Sequence, residues 1–141
     1  PKDGSLVVDA YDASLTLTAA ANLSSAQNSY AAAAVGGYAL FAGDTADADV
    51  YDASLTKTTV GILSAARQPD AVTAGGYAFF AGGDESSMVD VCDASLTRTT
   101  LTALSEARDS MAAAAVGDYV LFAGGRNTES LYHDTVDVYT I

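Results

Sequence analysis

The chain has 141 residues, half of them apolar and many of those alanine, with no tryptophan. That length builds one ordinary domain and excludes two sizeable ones. A formal charge of -12, from eighteen carboxylates against six basic groups, excludes binding along a nucleic-acid backbone, and there is neither a basic leader nor an apolar span of roughly 18 residues to suggest a membrane.

Pro1 opens the chain without a methionine, as expected of a processed product, an excised piece or an incomplete chain. Residues 6–21 read as two short strands around "DAYDASLT". "LSSAQ" at 23–27 leads into "AAAAVGGYALFAG" at 31–43, where paired glycines cut two apolar runs to strand length. Gly36-Gly37 between such runs signals a tight hairpin, because glycine reaches the positive backbone angles that a two-residue turn demands. Next, "DVYDASLT" at 49–56 predicts a strand with Val and Tyr on one face. It is followed by a turn in which Asp52 and Ser54 bond local backbone. The following "LTKTT" reads as a half-exposed outer strand.

The same order then returns. "LSAAR" at 63–67 and "LSEAR" at 104–108 repeat "LSSAQ"; "DVCDASLT" at 90–97 repeats the turn; "VDVYT" at 136–140 closes the chain. Offsets are 39 to 42 residues until a longer last loop stretches one to 47, a period belonging to solenoids, propellers or arrays. The predicted repeats are approximately 1–23 (partial), 24–64, 65–105 and 106–141 (partial), with two complete four-stranded units at roughly 30–61 and 71–102. Alanine and glycine crowd one strand of each unit, while Tyr, Phe and Leu fill the others. That size gradient places the Ala-rich strand innermost and favours a propeller over a linear array.

The order "AR", apolar strand, double-glycine turn, "YAFFAGG" and "DVYD" resembles the kelch family of β-propellers across essentially the whole chain. The first repeat departs with Gly43-Asp44 where Gly82-Gly83 and Gly124-Gly125 end the second strand, the third carries Gly117-Asp118 in place of the hairpin glycines, and the family's outer-strand Trp is missing throughout. The resemblance implies an all-β propeller with blades of four antiparallel strands, about three blades in this chain. Closed propellers have four to eight. Closure is therefore expected by self-association, a homodimer forming a six-bladed ring, or by further blades of a longer polypeptide.

Candidate sites follow from the same residues. The recurring glycines lack the Lys-Ser/Thr and the helix of a phosphate loop and are expected to be turns. Asp44, Asp47 and Asp49, with Asp84, Glu85 and Asp90, offer oxygens to a hard cation. Their spacing matches no loop signature, and Arg126 replaces the first acid in the third counterpart, so no metal or cofactor is expected. Arg67 and Arg108, with Gln27 in the first repeat, precede the Ala-rich strands. Similar arginines in kelch propellers lie near one mouth of the ring, which makes these three the candidate binding face, with Tyr30 and His133 beside them. A structural role between blades is the competing reading. Cys92 takes the place of Tyr11, Tyr51 and Tyr139 as a small core residue, and one cysteine allows no internal disulfide. No catalytic constellation is legible. The expected function is a non-enzymatic scaffold whose loops bind a protein or a carbohydrate. The alternatives are a self-assembling structural or engineered piece without a ligand, and a sugar-active enzyme or its accessory domain.

Overall fold

A computed structural model describes residues 5–27 and 29–141. Residues 1–4, the start of the first partial repeat, lie outside the described residues. Thirteen strands form in chain order among the described residues: β1 (Asp9–Tyr11), β2 (Leu17–Ala19), β3 (Ala31–Val35), β4 (Tyr38–Ala42), β5 (Asp47–Tyr51), β6 (Lys57–Gly61), β7 (Asp70–Ala74), β8 (Tyr77–Ala81), β9 (Val89–Cys92), β10 (Arg98–Thr100), β11 (Ala112–Val116), β12 (Tyr119–Ala123) and β13 (Val136–Thr140). Every pairing is antiparallel between chain neighbours, giving sheets β1-β2, β3-β4-β5-β6, β7-β8-β9-β10 and β11-β12-β13.

The chain is all-β, but the propeller is not formed. Four separate sheets of 2, 4, 4 and 3 strands stand in a row, none closed into a barrel or curled into a ring. The physical reason lies at the ends. The first sheet has only two strands and the last only three, and the outward face of the last meets solvent, with Val136 and Val138 exposed.

Within each unit, local chemistry sets the strands. Gly36 and Gly37 sit at φ 57° and 83°, the conformation a tight hairpin needs. The turn after β5 is built by Asp52, whose Oδ1 accepts from the Ser54 and Thr56 amides at 2.9 and 3.0 Å and from the Ser54 hydroxyl at 2.6 Å. Asp12 and Asp93 repeat it. The carboxyls of all three lie below the ordinary range, held there first by the bond from Ser14, Ser54 or Ser95. Leu55 is left-handed in this turn at φ 61°, as are Leu15 and Leu96.

Two cores fill the gaps between sheets. Leu40, Val50 and Ala48 meet Ala78, Phe80 and Cys92 in one; Phe79, Val89 and Val91 meet Val120 and Phe122 in the other. Val50 and Tyr51 therefore point to opposite faces and are both buried, whereas the alternation predicted them on one face. The middle strands are covered on both sides, so each face needs an apolar residue. Alanine lies where neighbouring sheets approach: β3 packs beside β7 and β7 beside β11, and Thr73 Oγ1 accepts from the Ala34 amide at 3.0 Å and donates to its carbonyl at 2.8 Å.

Candidate functional site

The recurring arginines turn inward. Arg67 is 1% exposed; its Nε donates to the Gly82 carbonyl at 2.9 Å, Nη2 to that of Phe80 at 3.1 Å, and Nη1 lies 2.9 Å from Asp90 Oδ2. Burial pushes the Asp90 carboxyl up, but bonds from Thr100, Ser64 and Arg67 outweigh it and leave the carboxyl below its ordinary range. Arg108 repeats the arrangement, donating to the carbonyls of Gly124 and Thr135 and pairing with Asp137. Gln27 instead places Oε1 2.5 Å from the Asp44 amide. These three anchor their own sheets, and the arginines have no free guanidinium face for a partner.

A serine accompanies each anchor. The Ser24, Ser64 and Ser105 amides donate to Asp49, Asp90 and Asp137 on the sheet ahead, at 2.7, 2.7 and 3.0 Å. The leucine before each donates backward, Leu23 to Leu6, Leu63 to Ala46 and Leu104 to Ser87. Asp49 and Asp90, expected in acidic loops, are thus buried as anchor points.

Along one side of the row, at the strand ends, the segments entering β7 and β11 meet the loops leaving β4, β8 and β12. Gln68 spans two of these loops: its amide donates to Asp84 Oδ2 at 2.9 Å and its side chain to Asp44. Arg126 Nε bonds Asp109 Oδ1 at 2.9 Å, and the backbones of the two residues exchange bonds at 2.9 and 3.0 Å. Between them lies a hollow of about 200 Å³ lined by Ser29, Gln68, Asp70, Asp84, Asp109 and Arg126. A second, of about 280 Å³, shares Asp84, Asp109 and Arg126 and adds Glu85, Asn127 and Ser130. Burial pushes the Asp70 carboxyl up and Asp109 adds to it, against the 2.8 Å bond from the Met111 amide. Asp84 and Glu85 are both left-handed, at φ 47° and 66°, a strained arrangement of adjacent acids at the lip of the hollow.

The long last loop is itself ordered. Asn127 Oδ1 accepts from the Glu129 and Leu131 amides at 3.0 and 3.1 Å, and Ser130 is left-handed at φ 61°. This is the Asp52 turn rebuilt on asparagine, and it closes a small bridge between Arg126 and Tyr132. Leu131 and Tyr132 stand out on its return limb, Tyr132 87% exposed.

The other predicted residues are scattered. Tyr30 donates its hydroxyl to the Ser25 carbonyl. His133 Nδ1 lies 3.0 Å from Glu106 Oε1, and its Nε2 is buried without a partner among the described residues. Cys92 is buried, its thiol pushed up to about 11 first by burial and then by Asp93. Among the described residues, no three His, Cys, Asp or Glu side chains are grouped to hold a metal ion. Sequence reasoning missed Gln68, Asp70 and Asp109 as members of the hollow. Their signal is position, one to three residues after each recurring arginine.

No protein-family model matches the chain, and no curated protein matches it. Its kelch likeness stays with the residues quoted above, and the functional reading rests on the loop end.

Proposed function

We propose that the chain is a non-enzymatic binding scaffold that takes a carbohydrate at the loop end, between the Asp84–Asp109–Arg126 hollow and Tyr132. The observation that carries this reading is the ordered hairpin at 126–132, which holds an almost fully exposed tyrosine beside a polar hollow. Sugars present hydroxyls that pair with mixed donors and acceptors, and an apolar ring face that stacks on an aromatic. The hollow supplies carboxylates, an amide and a guanidinium. Rigid Tyr and Arg side chains are also those most often found at energetically dominant contacts.

Divergence among repeats supports the same end. The Asp-Ala-Ser-Leu-Thr turns are identical in all three copies, while the loops leaving β4, β8 and β12 differ in length and charge.

A glycan array followed by calorimetry tests the reading. A saccharide hit is expected, with Tyr132→Ala weakening it about tenfold or more and leaving thermal stability unchanged. Absence of any hit, or a hit indifferent to both Tyr132→Ala and Arg126→Ala, overturns it. A protein ligand that loses affinity with Tyr132→Ala would replace the sugar at the same surface.

A further inference from the structure

Equivalent positions in the three larger sheets have equivalent neighbours, except at the ends of the row. Val50, Val91 and Val138 pair with Leu40, Phe79 and Leu121 in the same register. Val50 is 0% exposed and Val91 6%, because each is covered by the following sheet, whereas Val138 is 56% exposed. Ala48 and Val89 are buried while their counterpart Val136 is open, and Tyr119 and Val116 lie open on the same outward side. The opposite end mirrors this. Ala78 and Val120 are fully buried against the preceding sheet, and their counterpart Ala39 is exposed.

The chain thus carries both halves of a core that it already builds twice, with Val50 and Ala78 in one and Val91 and Val120 in the other. We propose that the outward face of β11-β12-β13 docks on the Ala39 face of β3-β4-β5-β6 in a second copy, head to tail. This continues the row by the interface that builds it. Tyr119, Leu121, Val136 and Val138 are uncharged, so the -12 formal charge opposes docking only at long range, where salt screens it. Covering such a patch removes apolar surface that monomers rarely leave open.

One element must give way. β1 carries the Asp-X-Tyr of β13, and in the docked pair both claim the same third-strand position. β1 is held to β2 over three residue pairs and β13 to β12 over five, so β1-β2 is the pair displaced.

Light scattering after size exclusion, over a concentration and salt series, reads the association. A mass above the monomer's that grows with concentration and with salt is expected. Val138→Glu, at a position already open to solvent, should weaken association about tenfold or more without altering the melting curve, while Thr58→Glu on the outer β6 leaves it unchanged. Orientation is read with two Cys92→Ala chains, one also Ala39→Cys and the other Val138→Cys. Oxidation should cross-link the mixture and neither chain alone. A monomer at every concentration overturns the proposal, as does cross-linking of either chain by itself. Equal loss of association in the Val138 and Thr58 variants overturns it too.

Discussion

Arg67 and Arg108 show how a charged residue becomes part of a core. Arg67 gives its donors to backbone carbonyls and to Asp90; Arg108 bonds two carbonyls and Asp137 while its buried Nε has no partner among the described residues, so each charge is desolvated but paired. Arg67→Met should destabilise the chain by about 3–5 kcal/mol, the cost of stranding a buried carboxylate, measured by denaturant unfolding. The pH dependence follows from the direction of the Asp90 shift. With its folded carboxyl below the ordinary range, its contribution is complete above about pH 4 and fades as pH falls through the lowered value. In Arg67→Met that fade should begin at higher pH. The residue spacing made these arginines visible, and a binding face was one reading of them. Their burial depended on Asp90 and Asp137, strand partners more than twenty residues away that no local pattern reveals.

Among the elements, the two kinds of paired glycine do different work. Gly76, in the β7–β8 hairpin, is at φ 79° with nothing within 4 Å of an added Cβ. Gly83, after β8, is at φ 88°, and an added Cβ would lie 2.0 Å from the Gln68 carbonyl oxygen. Gly76→Ala should therefore cost only the backbone strain, about 1–2 kcal/mol, and Gly83→Ala about 3 kcal/mol or more as strain and clash combine. Thermal melts of the two variants compare them directly. Hairpins and strand positions were legible because Gly-Gly, alternation and the Asp-Ala-Ser-Leu-Thr turn act within a few residues. The 126–132 hairpin was not, since Asn127 stands where the other turns use aspartate and Ser130 where they use leucine.

For the whole molecule, the period revealed a row of β units but not how the row ends. A repeat specifies neighbour contacts, whereas closure depends on the terminal faces, and these remain apart. Each unit being held by its neighbours, the sheet β7-β8-β9-β10, covered on both sides, should open last. Native-state hydrogen exchange is expected to be slowest in β8 and β9, faster in β12, and fastest in β1 and β2; uniform protection across the four sheets would refute this. The Leu-Ser step has a consequence for how such a chain can grow or be rebuilt. Leu63 bonds to the sheet behind and Ser64 to the sheet ahead, so the peptide between them is a seam. A cassette cut there and at Leu104-Ser105 carries its own serine, arginine and aspartate anchor. Duplication, deletion or exchange at that seam keeps each anchor within one unit, whereas a cut one turn later, past Arg67, makes each unit's aspartate depend on the serine and arginine of the unit before it.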